Sequence, residues 1–546
     1  MMARWIVRAG LVAAVLMAAG RAWGDASNRH EMFTQQAAKG PHAEVVAATF
    51  YGTAKLESFV GGGQLADGTI VAAGNFVGPD VPKAERSITI GKGERRNFNP
   101  FEFGRDSAKR EAEQAFNDAN PDTAGMVVLF DEKLAKAKLL VRFDFGVASI
   151  SAATVTADGK AVIVSGRATK NFRAVGAAVT PVGTATSKYG NATNDADVMV
   201  ARINLPEGRL AWAQVLGGAG NPPRRIWQDG AGKVYVPSGG LCVVSADGKS
   251  AGQLQKLGDA NAAGWLGINA KNGRLYYGGD RNTRTNREPY RQPFLFEFDN
   301  TGKQIERYWE PSPKEIGSDA GHLESDSSVR GIVFRADGKA VVAGWSDGGN
   351  SVFTRQVGDW RKQGVGNAPL GMATWGMKSA NSLGHVMVVD LEKKETLTHG
   401  WFAAFIPTTF QEARTRNAPN HVSLQDVYLL KDEAIAIHGK AATGLIQTPN
   451  AFYKYPDDGP KYGGEFVTLL DRDVSRLLFS SYMPGCDVMS LAPTKEGVLI
   501  FSRSRGDDGS GNSNGKTASP TTKGVAQEKF GGGADGHVVL LKLPKP

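Results

Sequence analysis

The sequence predicts an all-β protein, a seven-bladed β-propeller closed by strands from both ends of the chain. Three observations carry this. A hairpin phrase recurs with an Asp-Gly or Asn-Gly turn: "LADGTIVAAGN" (from Leu65), "TADGKAVIVSGR" (Thr156), "AKNGRLYYGGD" (Ala270) and "RADGKAVVAGWS" (Arg335). Such turns, flanked by apolar residues at period two, are the strongest short-range hairpin signal. A second hairpin phrase recurs as "DADVMVARINLPEGRLAWAQVLGG" (Asp195) and "GGEFVTLLDRDVSRLLFSSYMPG" (Gly463). Sheet units repeated every few tens of residues indicate a propeller or an array. Finally, the chain carries half a unit, "HAEVVAATFYG", near its start and another, "ADGHVVLLKLPKP", at its end. Joining the two closes the ring and removes the exposed edges of an open array.

The first 24 residues read as a secretory signal peptide. Arg4 and Arg8 flank its start, "AGLVAAVLMAAG" is a short apolar run, and Ala22-Trp23-Gly24 offers a small-x-small cleavage site. Residues 25–546 are then expected to form one exported propeller domain, with insertions near 80–124, 346–384 and 506–533. The 68 glycines, without a G-X-Y period, suit many tight turns. A net charge of +9 over 546 residues favours anionic surfaces only modestly and does not by itself call for nucleic acid.

Seven units are expected, with inner strands and turns near Glu57–Gly74, Ser149–Gly166, Arg224–Gly239, Gly264–Gly278, Ser328–Gly344, His421–Gly439 and Asp487–Ser502. The last two have degenerate turns, "LLKDEAIAIHG" and "PTKEGVLIFS", but keep the strand pattern. Within the 80–124 insertion, Lys83, Arg86, Lys92, Arg95 and Arg96 form a basic stretch. A short helix is expected in "DSAKREAEQAFNDAN", with Asp106 or Ser107 as N-cap. The 346–384 insertion holds Trp360, Trp375 and Met377 in a Gly-rich context. Further long loops span Pro407–Asn420 and Gly506–Gly533, and the polar "GDDGSGNSNGKTASPTTKG" reads as disordered. Cys242 and Cys486 fall in units on opposite sides of the ring, so they are expected to remain separate thiols, because a disulfide needs Cα atoms within roughly 7 Å.

The spacers carry a resemblance. "TPNAFYKYPDDGPKYGGEFVTLLDRDVSRLLFSSYMPG" (Thr448), "SPTTKGVAQEKFGGGADGHVVLLKL" (Ser519) and "TPVGTATSKYGNATNDADVMVARIN" (Thr180) resemble the bacterial secreted β-propeller repeat family. That family is written roughly T-x-G-A-[FY]-Q … G-G-x-D-A-F-V-x-K-L … L-x-Y-S-T-Y-L-G-G. The resemblance implies a secreted or cell-surface seven-bladed propeller. It supplies no shared catalytic residues to carry over.

Local motifs weigh against known chemistries. Gly248-Lys249-Ser250-Ala251-Gly252 fits G-x-S-x-G, but it sits in a strand–turn–strand context where a nucleophile elbow needs strand–turn–helix. "GNSNGKT" (Gly511) lacks the first Walker glycine, since that position is Ser510. Asp508, Ser510, Asn512 and Asn514 alternate as in calcium loops, but the twelfth position is Ser519 where Glu is needed. No zinc or haem motif occurs, and no cofactor or metal is expected. His322, Glu324 and Asp326 form the one His–carboxylate cluster and read as a polar loop. Arg281, Arg284, Arg287 and Arg291 form a basic run between two blades.

One position is informative. Eight residues before the turn glycine or its equivalent, the seven units present Val60, Ser151, Arg224, Trp265, Arg330, Gln425 and Met489. A packing position should hold one residue class; this one mixes charged, aromatic, polar and apolar side chains. Inner strands converge on the axis of a propeller. Ser151, Arg224, Trp265, Arg330 and Gln425 are therefore the candidate ligand-binding residues, with the arginines suited to a carboxylate or sulfate. The expected function is a monomeric exported binding or scaffold protein that takes an anionic glycan or a cell-surface protein. The alternative is a carbohydrate-active enzyme, a polysaccharide lyase or glycoside hydrolase. It would need opposed carboxylates, or Glu57, Glu324 or His322 converging with Arg330.

Overall fold

The computed structural model describes residues 35–78, 82–91, 123–144, 147–168, 197–216, 223–237, 241–255, 264–282, 291–309, 326–346, 351–363, 383–402, 422–441, 445–452, 464–505 and 519–545. The described chain is all-β, with almost no helix, arranged as a propeller-like ring of sheets. All seven expected inner hairpins form. They pair Glu57–Gln64 with Ile70–Val77, Val147–Val155 with Ala161–Ala168, and Trp227–Gln228 with Val234–Pro237. Trp265–Asn269 pairs with Arg274–Asn282, Ser327–Phe334 with Ala340–Ser346, Val422–Leu429 with Ile435–Ala441, and Cys486–Pro493 with Gly497–Ser504.

Among the described residues the sheets do not divide into seven separate blades. Five are separate four-stranded blades. The first two hairpins instead share a nine-stranded sheet, because Gly62 and Thr154 pair across their inner strands. Glycine makes this approach possible: a Cβ on neighbouring Gly61 would lie 2.7 Å from the Ala153 carbonyl oxygen. The same sheet gains an edge strand from the 80–124 insertion, Arg86–Ile90, which runs parallel to Ala137–Phe143. The helix expected at 106–120 lies outside the described residues, as do residues 1–24.

Ring closure is direct. Glu44–Tyr51 pairs antiparallel with Asp535–Lys542, which pairs with Gly497–Ser504. Beside this seam two fully buried carboxylates meet. Glu57 accepts hydrogen bonds from the Thr53 amide (3.0 Å) and hydroxyl (2.8 Å). Asp535 accepts from the Gly531 amide (2.8 Å) and Gln527 Nε2 (3.0 Å), while its Oδ1 has no partner among the described residues.

The apolar core lies between neighbouring sheets. Val341, Val386, Val422, Leu424, Ile437, Phe466 and Tyr482 pack the 327–402 sheet on the 422–482 sheet. A fully buried side chain of this kind contributes about 1.5–3 kcal/mol. From the 346–384 insertion, Phe353 packs edge-on to Trp309 with ring centres 5.2 Å apart, and Ser351 Oγ bonds Ser327 Oγ at 2.8 Å. That stretch therefore caps its blade. Trp375 and Met377 lie outside the described residues. Cys242 and Cys486 are both free and buried.

Candidate functional site

Counting eight residues back from the turn lands on a structural device. Val60, Ser151, Arg330, Gln425 and Met489 each sit at a β-bulge, the extra residue in the inner strand of its hairpin. A bulge bends its strand and re-aims the side chain it carries. It also explains the recurring exit glycine of the hairpin phrase. Gly74 and Gly166 stand opposite the first two bulges, where a Cβ would lie 1.8 Å from the Ser58 and Ser149 carbonyl oxygens. Gly344 and Gly439 hold the same place opposite Arg330 and Gln425.

The other two positions depart from this scheme. Trp265 is the first residue of its strand, opposite Gly278, with no bulge. Arg224 lies in a bend ahead of the two-residue strand Trp227–Gln228 and is exposed. Its neighbour Arg225 takes the inward role instead. Arg225 Nη1 bonds Asp426 Oδ1 (3.1 Å) and donates to the Val427 carbonyl (2.9 Å), and its guanidinium lies 4.2 Å from the centre of the Tyr428 ring. This strut joins two non-adjacent blades. Burial pushes the Asp426 carboxyl upward, and Arg225 opposes that shift.

The structure brings most of the candidate set together. Trp265 Nε1 donates to the Gln425 carbonyl at 3.0 Å. The Arg330 guanidinium lies 5.3 Å from the Trp265 ring centre and 5.6 Å from that of Trp345. Arg291 stands 5.5 Å from Trp345, completing a ladder of alternating Trp and Arg drawn from two blades. Cation–π contacts of this kind are worth about 0.5–2 kcal/mol each. Ser151 Oγ donates to the Pro223 carbonyl (2.8 Å), next to Arg224.

The electrostatics of this ladder are unbalanced. Burial lowers the pKa of Arg330 from its usual value, Asp280 opposes that shift, and Arg224 and Arg291 reinforce it. Asp280 reaches Arg330 only at 3.9 Å. Asp326 is already engaged by the Arg291 amide (2.6 Å) and Nε (3.1 Å). Arg224 makes no ion pair among the described residues. Two buried donors, Arg330 Nε and Trp345 Nε1, have no acceptor there either. Buried polar groups are almost always satisfied, so such donors call for an acceptor.

Other sequence candidates resolve differently. Ser250 lies in a tight turn where its amide bonds Ser245 Oγ (3.0 Å), so the G-x-S-x-G string is a hairpin turn. Glu57 faces Asp535 at the ring closure rather than Arg330. His322, Glu324, Arg284, Arg287 and the loop 508–518 lie outside the described residues. Sequence reasoning missed Trp345, Asp280, Asp426 and the role of Arg225. Among the described residues, no group of three metal-ligating side chains occurs and no helix is long and apolar enough to cross a membrane.

No family model matches the chain, and no curated protein matches it. Solved structures offer a slight likeness. Hydrazine synthase of Kuenenia stuttgartiensis has a TM-score of 0.39 and 11% identity, over 70% of this chain and 88% of that one. A protein of unknown function from Bacteroides caccae has 0.30 and 10%, over 65% and 89%. A luciferin-regenerating enzyme has 0.29 and 10%, over 63% and 85%.

Proposed function

We propose that the chain is an exported, seven-bladed binding or scaffold propeller that recognises an anionic glycan at the arginine–tryptophan ladder. In this reading the nine-stranded sheet is two blades whose inner strands touch at Gly62 and Thr154, and the two make seven with the five separate ones. The hairpin phrases resembling the bacterial secreted propeller repeat and the signal-like residues 1–24 support export and a cell-surface setting. The observation that carries the ligand class is the pair of donors, Arg330 Nε and Trp345 Nε1, that have no acceptor among the described residues.

Binding of acidic and neutral glycans to the wild type and to Arg330→Ala tests this. A charge-assisted hydrogen bond contributes about 1.5–3 kcal/mol, which corresponds to at least about tenfold in affinity. The acidic glycan should lose at least that much on substitution, in a variant whose melting curve stays cooperative. Equal binding of neutral glycans, or normal binding by the variant, moves the site to the rim loops.

A further inference from the structure

Resting on the anionic-glycan reading, we infer that Arg291 takes one sugar carboxylate of the ligand on the outer edge of its guanidinium, held in position by Asp326 and Trp345 of the next blade. Arg291 opens the strand Arg291–Phe298, which pairs with Arg274–Asn282. This hairpin overhangs its neighbours. Its paired residues run four places past exit glycine Gly278, to Asn282 opposite Arg291. The equivalent pairing ends one to three places past Gly74, Gly166, Gly344 and Gly439. The extra length carries Arg291 outward, and its side chain is 45% exposed.

The exposed side chain is nonetheless fixed. Asp326 accepts the Arg291 amide through Oδ1 (2.6 Å) and Nε through Oδ2 (3.1 Å), and the guanidinium lies 5.5 Å from the centre of the Trp345 ring. Neither terminal nitrogen of Arg291 bonds a described residue. Those two nitrogens form the edge of a guanidinium that meets a carboxylate in two parallel hydrogen bonds. Asp326 already balances the charge of Arg291, so net charge does not distinguish this position; donor geometry does. Lysine supplies the same charge as one mobile point, without the planar fork. A guanidinium that is already oriented also loses less freedom when a ligand binds. The ligand class this fits is a uronate chain, whose planar carboxylates match the fork.

The test uses the full chain as wild type, Arg291→Ala, Arg291→Lys and Arg330→Ala. Each is titrated with oligogalacturonate, its methyl ester and dextran at a fixed salt of about 0.15 M, where charges beyond roughly 8 Å are screened. Wild type should bind the acid at least about tenfold more tightly than the ester, and Arg291→Ala should abolish most of that preference. Arg291→Lys should lose nearly as much as Arg291→Ala, although its charge is unchanged. It also keeps the test decisive should Arg291→Ala fail to fold. Acid binding by Arg291→Lys at the wild-type level would overturn the role of the fork, since charge alone would then suffice. Wild-type binding by Arg291→Ala, with a loss in Arg330→Ala, would remove Arg291 from the site and leave the anionic reading standing. If wild type binds the ester or dextran as tightly as the acid, the anionic reading itself fails.

Discussion

Two arginine clusters on inner hairpins of the ring invite comparison. In the closure sheet, Arg503 and Arg505 close together on Asp487. Arg503 approaches through Nε (2.9 Å) and Nη2 (2.5 Å), and Arg505 through Nε (2.9 Å) and Nη2 (2.7 Å). Burial works to raise the Asp487 pKa, and the two arginines outweigh it, holding the carboxyl below its usual value. In the ladder, among the described residues, Arg330 finds only Asp280 as an ion-pair partner, at 3.9 Å, and keeps a donor without an acceptor. Both clusters are basic and part-buried. One is finished by its own acid; the other is left with unmet demand. Arginine enrichment in a sequence therefore says little until each guanidinium's partner is known.

The comparison can be broken by mutation. Closed contacts should respond in stability and open ones in binding. Arg225→Leu leaves Asp426 buried without its cation and should cost about 3–5 kcal/mol, read as a lower urea midpoint. Asp487→Ala strands Arg503 and Arg505 and should cost about 2–3 kcal/mol, less because Arg505 is half exposed. Arg330→Ala should lower the midpoint less than Asp487→Ala, because the loss of its two cation–π contacts is offset by relief of the desolvation cost of the part-buried guanidinium, while anion binding falls at least tenfold. Asp280→Asn should change stability by at most about 1 kcal/mol, as for a long, weak ion pair. If Arg330→Ala destabilises as strongly as Asp487→Ala, the ladder is structural and the contrast is lost. The smallest effect is chemical. Burial pushes the Cys242 thiol up to about 11 and the Cys486 thiol up to about 12, so both should resist alkylation in the native protein and both react after denaturation.

Much of the frame was legible because it is local. Asp-Gly turns and period-two strands gave the seven hairpins, and the recurring exit glycine marked the bulge without being recognised as such. The eight-residue count held wherever the inner strand is long enough to carry a bulge. It slipped where the strand shrinks to Trp227–Gln228: the bend there exposes Arg224 and turns Arg225 inward. The fusion of the first two hairpins into one sheet was hidden, since it depends on glycines meeting between units. The ladder partners were missed because they sit on second and third strands. A signal existed for Trp345. It directly follows exit glycine Gly344, a place held by Asn75, Arg167 and Lys440 in other units. That Asn75 bonds the Ile150 backbone in both directions shows the place faces the neighbouring blade.

The two carboxylates beside the closing strands give the ring a chemical dependence of its own. Burial, together with the charge of Asp535, lifts the Glu57 carboxyl to about 7 against the hydrogen bonds from Thr53, and burial lifts Asp535 to about 7. Below about pH 4 both groups are protonated in folded and unfolded chains alike and their contribution is fully present; it fades as pH rises through 7. His537 in the same strand pulls the other way. Burial lowers its pKa to about 4, so its contribution is present above about 6.5 and is lost as pH falls toward 4. Asp535→Asn separates the two, because it fixes one latch group in its neutral form. Its melting temperature should exceed wild type by more at pH 8 than at pH 5, and an equal offset at both would show that protonation does not govern the seam. A propeller is often pictured as a rigid disc, yet this one is fastened by a clasp that protons tighten, so acidified surroundings would grip the ring at the point where its two ends are joined.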